Sequence, residues 1–473
     1  MRKTKIVCTL GPATDDKEIL RLMILAGMNV ARLNFSHGTH AEHKVRVDMI
    51  KELRKEMDVP LPLMIDTKGP DIRVGRFKDN FQELHSGQRF TLTAEECLGD
   101  HTRASVTYKE LSKKLKPGDK VMLDDGLIEL RVEESNDIET VCTVLNGGLI
   151  ANNKSVNVPG VKLDIPYMRE KDIEDINFAI DNDFDYLAAS FVRSYDDVWQ
   201  VKKILDQRNA SNIKIISKIE NSEGIHNIDE IMSISHSIMI ARGDMGVELP
   251  FSELPAIQKN LIKIAMLKGK ESITATQMLE SMIKNPRPTR AEVSDVANAI
   301  YDGTSAIMLS GETSVGSYPV ETVRTMAEIA EVTEGNINYK KRFMELEWDT
   351  PASSFTDALS HSICTTAYNL GKAVILTLTR KGDTASLISR YRPEDGFIAF
   401  THDPKVYNQL VLNWGCQPMI IEKIEDLEDL FKAAIQLAKD AGYVKQGDSV
   451  VFTGSVSAGA SGGTNKMLTT IVD

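Results

Sequence analysis

Two carboxylates and a lysine close two neighbouring apolar runs of the sequence. Lys218 and Glu220 end one run, and Asp244 follows the next run. Side chains two positions apart on a strand point to the same face, so Lys218 is expected beside Glu220. Carboxylates from adjacent strands suit a Mg2+ ion that keeps waters and takes further oxygens from its substrate. The spacing predicts a divalent metal site with a cation beside it. An internal ion pair among the three groups is the alternative.

Polar residues close other apolar runs in the same way. In the second run, polar and apolar side chains alternate, and the period of two places the polar ones on one face. The polar residues at the other run ends are Arg32, Asn34, Ser36 and His37, then Asp66, Thr67 and Lys68, then Arg242, then Thr276, and finally Ser310 and Glu312. Gly243 would let a substrate approach the backbone closely. Charge converging from six run ends argues against a purely structural ion pair.

The charges of this cluster predict phosphoryl transfer. Arg32 and Lys218 concentrate positive charge in a chain of net charge -12. Arg73 and Lys154, from the segment between the third and fourth runs, add to this charge. Phosphoryl transfer depends mainly on positioned cations and in-line alignment, so such a set suits a small anion bridged by metal. The sequence contains neither Gly-x-x-x-x-Gly-Lys-Ser/Thr nor Gly-x-Gly-x-x-Gly. A bound nucleotide would therefore use another kind of site.

A repeated unit positions these residues: a short apolar, β-branched run followed by an amphipathic helical pattern. The eight runs span residues 6–10, 29–35, 63–66, 186–191, 213–219, 237–241, 272–275 and 306–309. Near-continuous apolar strands alternating with helices indicate parallel strands buried on both faces. Eight in series predict an α/β fold of the closed (β/α)8-barrel type, whose active site lies at the C-terminal ends of the strands.

Two further domains are predicted around this barrel. The segment between the third and fourth runs has short strand patterns and glycine-rich turns, typical of an all-β insertion with prolines at both joints. A second α/β series follows the eighth run, with strands expected at 373–378, 397–400, 419–421 and 449–453. The predicted boundaries are 1–69 and 166–346 for the barrel, 70–165 for the insertion and 347–473 for the C-terminal α/β domain.

The composition excludes several classes of protein. Asp and Glu outnumber Lys and Arg by 68 to 56, which disfavours a nucleic-acid partner. The five cysteines are scattered, which favours a reducing, cytoplasmic location over a disulfide framework or a zinc site. No apolar stretch approaches twenty residues, so neither export nor a membrane span is expected.

Four longer segments resemble a known family. They are IKIISKIENSEGI at 213–225, ARGDMG at 241–246, ATQMLESM at 275–282 and NPRPTRAE at 285–292. In this order, within a match from Lys3 almost to the C-terminus, they resemble the bacterial-type pyruvate kinases. The resemblance implies a glycolytic phosphotransferase that moves the phosphoryl group of phosphoenolpyruvate to ADP, giving pyruvate and ATP. It also implies Mg2+ (or Mn2+) and K+ as cofactors.

The resemblance implies roles for single positions. Lys218 matches the lysine that neutralises the phosphoryl group in flight, and Glu220 and Asp244 match the Mg2+ ligands. Thr276 matches a residue placed to relay the proton that converts enolpyruvate to pyruvate. The other matches are Arg32 for the phosphoryl group, Asn34, Ser36, Asp66 and Thr67 for K+, Arg73, Lys154, Asn34 and His37 for the nucleotide, Ala241, Arg242, Gly243, Asp244 and Thr276 for the substrate carboxylate, and Ser310 and Glu312 for a layer linked to the relay.

Some of these positions have a second interpretation. His37 and Arg242 could be structural, and Thr289 with Glu292 fits a helix capping box. Asp71 stands where the family often has glutamate. Since the position stays acidic, K+ activation is still expected.

The resemblance also implies a lid, an effector site and a homotetramer. The insertion corresponds to the lid that excludes water during transfer. Residues Thr379, Arg380, Lys381, Gly382, Asp383 and Thr384 resemble an effector phosphate loop, a hydroxyl-rich turn before a helix. Lys381 keeps that loop basic, whereas Asp383 is expected to repel a phosphate. A sugar phosphate or a nucleotide is the expected effector.

Two other functions compete with this prediction. A Mg2+-dependent barrel lyase or aldolase that stabilises a pyruvate enolate would also use a Glu and an Asp on neighbouring strands. It would leave Lys218 and the lid unexplained. A catalytically silent binding protein could keep the same fold, although every matched catalytic position carries a competent residue.

Overall fold

The first barrel strands alternate with helices, as the apolar runs predict. The computed structural model describes residues 2–349, 354–371, 373–454 and 464–473. The opening elements are β1 (Lys5–Leu10), a 3-10 turn (Pro12–Thr14), α1 (Lys17–Ala26), β2 (Val30–Asn34), α2 (His40–Glu56) and β3 (Leu63–Asp66). Side-chain caps set the helix starts: Asp16 accepts the backbone N–H of Glu18, and Thr39 forms a capping box with Glu42.

The insertion forms two sheets around a hydrophobic core of its own. Its elements are β4 (Phe81–Leu84), β5 (Arg89–Thr93), β6 (Arg103–Ser105), α3 (Leu111–Lys114), β7 (Lys120–Leu123), β8 (Ile128–Ser135), β9 (Glu139–Val144), β10 (Gly148–Ala151) and β11 (Val156–Asn157). One sheet has the strand order β11-β7-β8-β9-β5-β6, and β10 pairs with β4. Burial alternates along β9, as expected of a strand with one core-facing side. Apart from the single turn of α3, the insertion is all-β as predicted.

The remaining barrel strands return after the insertion and close the barrel. The elements are α4 (Glu170–Asp181), β12 (Tyr186–Ala189), α5 (Tyr195–Gln207), β13 (Lys214–Ile219), α6 (Ser222–His226), α7 (Ile228–Ile234), β14 (Ser237–Ala241), α8 (Arg242–Glu248), α9 (Leu254–Leu267), β15 (Glu271–Ala275), a 3-10 turn (Glu280–Ile283), α10 (Arg290–Asp302), β16 (Ala306–Leu309), α11 (Gly311–Ser314), α12 (Pro319–Gly335) and α13 (Tyr339–Asp349). The barrel order is β1-β16-β15-β14-β13-β12-β3-β2, with all neighbours parallel. Each of the eight predicted runs is a barrel strand.

A second sheet organises the C-terminal part. Its elements are α14 (Phe355–Asn369), β17 (Val374–Leu378), α15 (Asp383–Arg390), β18 (Phe397–Thr401), α16 (Pro404–Gln409), a 3-10 turn (Leu410–Leu412), β19 (Cys416–Ile420), α17 (Leu427–Asp440), β20 (Ser449–Gly454) and β21 (Lys466–Ile471). The order is β19-β18-β17-β20-β21; β21 alone is antiparallel. The four predicted strands are present, and β21 is an additional edge strand.

The C-terminal part closes the N-terminal end of the barrel. Leu412 packs with the side chains of the inner barrel core, such as Met64 and Tyr186. The amide of Gln409 donates to the backbone oxygens of Asp185 (3.0 Å) and Asn212 (2.6 Å). The C-terminal part thus fills the N-terminal end of the barrel. The C-terminal end of the barrel remains open, and this is the end where the active site is expected. Among the described residues, no helix combines the length and apolar character needed to span a bilayer.

A buried cation at this foot gives a pH-dependent stability. Burial lowers the pKa of Lys5 to about 8, and its ammonium group donates to the backbone oxygen of Cys416 at 2.7 Å. The unfolded chain therefore holds this proton at pH values where the folded protein has lost it. Below the pKa of Lys5 in the folded state, the buried ammonium group lowers the unfolding free energy by its full amount. Above the pKa of Lys5 in the unfolded state, this cost is absent, so the stability of the protein rises with pH between the two values.

We expect Lys5→Met to remove this rise of stability with pH. Between about pH 8 and about pH 10, the unfolding free energy of the wild type should gain about 2 kcal/mol relative to the variant. Denaturant unfolding of both proteins at the two pH values measures the difference. A difference that is independent of pH would contradict the prediction.

Candidate active site

A cavity of about 1000 Å3 opens where the barrel strands end and the insertion lies over them. The predicted residues that line it are Arg32, Asn34, Ser36, His37, Lys68, Arg73, Lys218, Glu220, Ala241, Asp244, Thr276 and Ser310. They come from barrel strands far apart in sequence and from the insertion. The C-terminal mouth of the barrel thus gathers the convergent charge that the run ends predict.

Three oxygens surround the ammonium group of Lys218 at the centre of this cavity. The distances from its Nζ are 2.8 Å to Ser190 Oγ, 2.9 Å to Glu220 Oε1 and 3.1 Å to Asp66 Oδ1. Burial opposes the charge, but the carboxylates of Asp66, Glu220 and Asp244 outweigh it and hold the pKa of Lys218 above its ordinary value. Lys218 is therefore a fixed, fully charged cation.

Asp66 joins this lysine to a second cation. Its Oδ2 accepts from Nε of Arg32 at 2.7 Å, and the same guanidinium donates to Thr9 Oγ1 at 2.7 Å. Burial alone would raise the pKa of Asp66, but Arg32 and Lys218 lower it below its usual range. One buried carboxylate thus orients two positive side chains toward the same cavity.

Glu220 and Asp244 fit a divalent cation. Glu220 Oε1 is buried and makes no well-formed hydrogen bond, although Lys218 is 2.9 Å away. Burial raises the pKa of Glu220 above its usual range, with Lys218 opposing and Asp244 adding to the effect. Within the described residues, no group of three His, Cys, Asp or Glu side chains forms a metal site. The pair would leave most metal positions to water and substrate oxygens, as Mg2+ prefers.

The four residues matched to K+ lie together at the ends of β2 and β3. Asn34 and Asp66 are partners in the strand register, and Asn34 Oδ1 accepts the backbone N–H of Ser36 at 3.1 Å. Asn34 and Ser36 line the cavity, whereas Asp66 and Thr67 are buried behind it. All four offer oxygen atoms, the ligand type that hard cations favour.

Several predicted site residues do not line the cavity. Glu312 is fully buried and accepts the backbone N–H groups of Leu279 (3.1 Å) and Ser310 (2.7 Å), so it joins two loops behind the mouth. Lys154 pairs with Asp124 of the insertion at 2.8 Å. The backbone N–H of Gly243 donates to Thr276 Oγ1 at 2.8 Å.

Arg242 is also turned away from the cavity. As the first residue of α8, it points behind the mouth and contacts Asp295 of α10 at 2.8 Å. The capping box between Thr289 and Glu292 is present at the start of α10, which confirms its structural interpretation.

Sequence reasoning missed Ser190. Its hydroxyl accepts from Lys218 at 2.8 Å and lies 2.6 Å from the backbone oxygen of Thr67, to which it donates. Ser190 follows β12 directly, at the level where the other site residues leave the barrel. The fourth predicted run extends to residue 191 and so includes Ser190 within the strand, whereas β12 ends at Ala189 and leaves Ser190 at the polar strand end.

Ser190→Ala is expected to lower turnover about tenfold to a hundredfold. It removes one of the three oxygens around the Lys218 ammonium, and a hydrogen bond to a charged group contributes about 1.5–3 kcal/mol. Steady-state kinetics with the wild type beside it measures the effect. Ser211→Ala is the matched control, because that hydroxyl donates to Asp206 at 2.6 Å on the surface. Equal turnover in both variants would remove Ser190 from the site.

Charged residues tie the insertion to the barrel at its joints. Asp71 accepts from Arg73 and from NH1 of Arg169, the latter at 2.8 Å. Burial alone would raise the pKa of Asp71, but the hydrogen bonds from Arg169 and Arg73 hold it below its usual range. Arg73 also donates to the backbone oxygen of Asn153 at 2.7 Å. Asp71 is thereby fixed as an anion, and Arg73 is held at the cavity wall.

The proposed effector loop lies at the start of α15, far from this mouth. Thr379 Oγ1 accepts the backbone N–H of Gly382 at 2.9 Å, and the hydroxyls of Thr384 and Thr464 are 2.6 Å apart. Asp383 is the first residue of α15. The sequence also contains a small, glycine-rich loop from Gly454 to Thr464, and its residues 455–463 lie outside the described residues.

This fold and site define a (β/α)8-barrel phosphotransferase covered by a β insertion. Two family models extend that assignment along the chain: "Pyruvate kinase, barrel domain" matches residues 1–323, and "Pyruvate kinase, alpha/beta domain" matches residues 357–469. The chain belongs to the pyruvate kinase family.

Individual relatives agree with the family match. A pyruvate kinase from Clostridium acetobutylicum is 46% identical over 474 residues and is covered, like this chain, to 100%. One from Staphylococcus saprophyticus is 46% identical over 99% of this chain and 80% of its own. A crystal structure of a pyruvate kinase from Cryptosporidium parvum matches with a TM-score of 0.95 and 38% identity, over 100% of this chain and 96% of that one.

Proposed function

We propose that this protein transfers the phosphoryl group of phosphoenolpyruvate to ADP in glycolysis, with Mg2+ or Mn2+ and K+ as cofactors. The observation that carries the proposal is the fixed ammonium group of Lys218 between Asp66, Glu220 and Ser190, beside a second carboxylate, Asp244. A preorganised cation next to a divalent metal site is what stabilises charge on a phosphoryl group in flight.

Glu220 and Asp244 would hold the divalent cation, which would supply charge neutralisation and orientation of the phosphoryl oxygens. Lys218, held between Glu220, Asp66 and Ser190, would present its positive charge to the phosphoryl group. Arg32, held by Asp66, approaches the same group from β2. Asn34, Ser36, Asp66 and Thr67 supply oxygens to K+, whereas Arg73, Lys154 and His37 receive the nucleotide.

Transfer leaves enolpyruvate, which takes a proton at C3 to become pyruvate. Thr276 lines the cavity and is the side chain proposed to relay this proton, with Ser310 and Glu312 behind it. The backbone from Ala241 to Asp244 receives the carboxylate. The insertion, residues 70–165, acts as a lid that excludes water and so favours transfer over hydrolysis.

Regulation and assembly follow the same family pattern. The loop Thr379–Thr384 is proposed to bind the phosphate of a sugar phosphate or a nucleotide effector, and the protein to be a homotetramer. The five cysteines are free thiols, which supports a cytoplasmic location.

The reaction is tested by pyruvate formation from phosphoenolpyruvate and ADP with Mg2+, followed by a coupled dehydrogenase, with K+ and then with Na+. We expect fast turnover that collapses in Na+. Turnover indifferent to K+ would keep the reaction and discard the K+ site at Asn34 and Asp66. No turnover in either salt, even with sugar phosphates added, would favour the lyase or the silent binding protein.

A further inference from the structure

The loop after β15 holds two neighbouring residues in the left-handed backbone conformation. Thr276 has a φ of 70° and Gln277 has a φ of 54°. This conformation is unfavourable for a residue with a Cβ atom, and it is least favourable for β-branched side chains such as threonine. Thr276 lines the active-site cavity, so the strain lies at a reacting position. Contacts with neighbouring residues must therefore hold Thr276 and Gln277 in this conformation.

The guanidinium group of Arg242 contacts the backbone on both sides of this strained peptide. Its NH2 donates to the backbone oxygen of Thr276 at 2.6 Å, and its Nε donates to that of Ala275 at 3.3 Å. A planar fork of donors matches neighbouring backbone oxygens in a way that a flexible ammonium does not. Arg242 does not line the cavity, which separates this contact from any contact with substrate.

The arginine is itself anchored from the opposite side. Its NH1 donates to Asp295 of α10 at 2.8 Å and to Gln258 of α9 at 3.3 Å. Its side chain is only 12% exposed. The guanidinium group therefore links the start of α8, the loop after β15 and two outer helices.

We propose that Arg242 is a positioning residue that clamps Thr276 in its left-handed conformation for protonation of enolpyruvate. With the carbonyl held from behind, Thr276 Oγ1 lies 2.8 Å from the backbone N of Gly243, at the point where the substrate carboxylate is proposed to bind. The inference rests on the proposed function. Arg242 acts through Thr276 and does not contact substrate.

The clamp affects one chemical step more than the other. Phosphoryl transfer breaks the P–O bond of phosphoenolpyruvate beside Lys218 and the metal, and leaves an enolate. In the next step, a lone pair on the enolate oxygen forms the C2=O double bond, the C2=C3 π pair moves to C3, and C3 takes one proton with that pair. Loosening Thr276 slows this second step, and, run in reverse, the exchange of pyruvate methyl hydrogens with solvent.

The test compares two assays in Arg242→Lys and Asp295→Asn. One is ATP formation in a single turnover, and the other is exchange of pyruvate methyl hydrogens with D2O in the presence of Mg2+ and ATP, followed by NMR. We expect methyl exchange to slow at least tenfold more than ATP formation in Arg242→Lys, and by a smaller factor in Asp295→Asn. Arg208→Gln, which removes a surface ion pair with Asp181, is the control.

The outcomes separate this inference from the proposed function. A wild type that forms no ATP overturns the function itself. If the wild type is active, equal slowing of both assays, or of neither, in variants with wild-type thermal unfolding overturns the clamp. Asp295→Asn keeps the test decisive if Arg242→Lys does not fold, since it leaves the guanidinium in place and removes only its charged anchor.

Discussion

Lys218→Met is expected to lower turnover by on the order of a hundredfold or more, about 3 kcal/mol of transition-state stabilisation. The substitution removes the cation held by Asp66, Glu220 and Ser190 and keeps a side chain of similar length. Because a preorganised charge acts mainly on the transition state, kcat should fall far more than the affinity for phosphoenolpyruvate changes. Steady-state kinetics at saturating Mg2+ gives both quantities.

The matched control is Lys202→Met. Lys202 is a half-exposed lysine on α5, paired with Asp206 at 3.2 Å, far from the mouth of the barrel. It should leave kcat unchanged. An unchanged rate in Lys218→Met would remove this lysine from the mechanism and leave the carboxylates without their proposed partner.

The second large effect is expected from Glu220→Gln, in the response to Mg2+. Glutamine has nearly the same shape but no charge, so the proposed metal site loses one of its two anionic ligands. The Mg2+ concentration for half-maximal activity should rise at least tenfold, and turnover at saturating Mg2+ should fall. A Mg2+ titration of activity, with direct binding measured by calorimetry, follows both.

Glu223→Gln serves as the comparison for this prediction. Glu223 also lines the cavity and lies three residues away on α6, but its carboxylate pairs loosely with the exposed Lys162, at 3.7 Å. Its Mg2+ curve should match that of the wild type. If the half-maximal Mg2+ concentration rises equally in both variants, the general electrostatics of the cavity accounts for the effect and Glu220 is not a metal ligand.

The strands were the most predictable part of the fold. Parallel barrel strands are buried on both faces, so their sequences are near-continuous apolar runs that end within one or two residues of the observed strands. The edge strand β21 gave no such signal. Its residues are all exposed or half-buried, so no buried apolar run marks the strand, and it pairs with β20 at the edge of the sheet.

The site was predictable in position but not in side-chain direction. The strand-end rule placed Lys218, Glu220 and Asp244 at one mouth, because every barrel strand ends there. It could not tell that Arg242, itself one of the predicted site residues, turns behind the mouth toward Asp295. That direction depends on where α8 begins and on the helices packed outside it, and neither is visible in local spacing.

The packing of Leu412 in the inner barrel core limits how modular this chain is. A chimera that joined residues 1–323 to the C-terminal part of another protein would have to supply a side chain of the same size at this point. A smaller one would leave a cavity in the barrel that costs about 2–5 kcal/mol for a lost leucine side chain. The two segments matched by separate family models are therefore one unit for protein engineering, exchangeable only together with the surface that joins them.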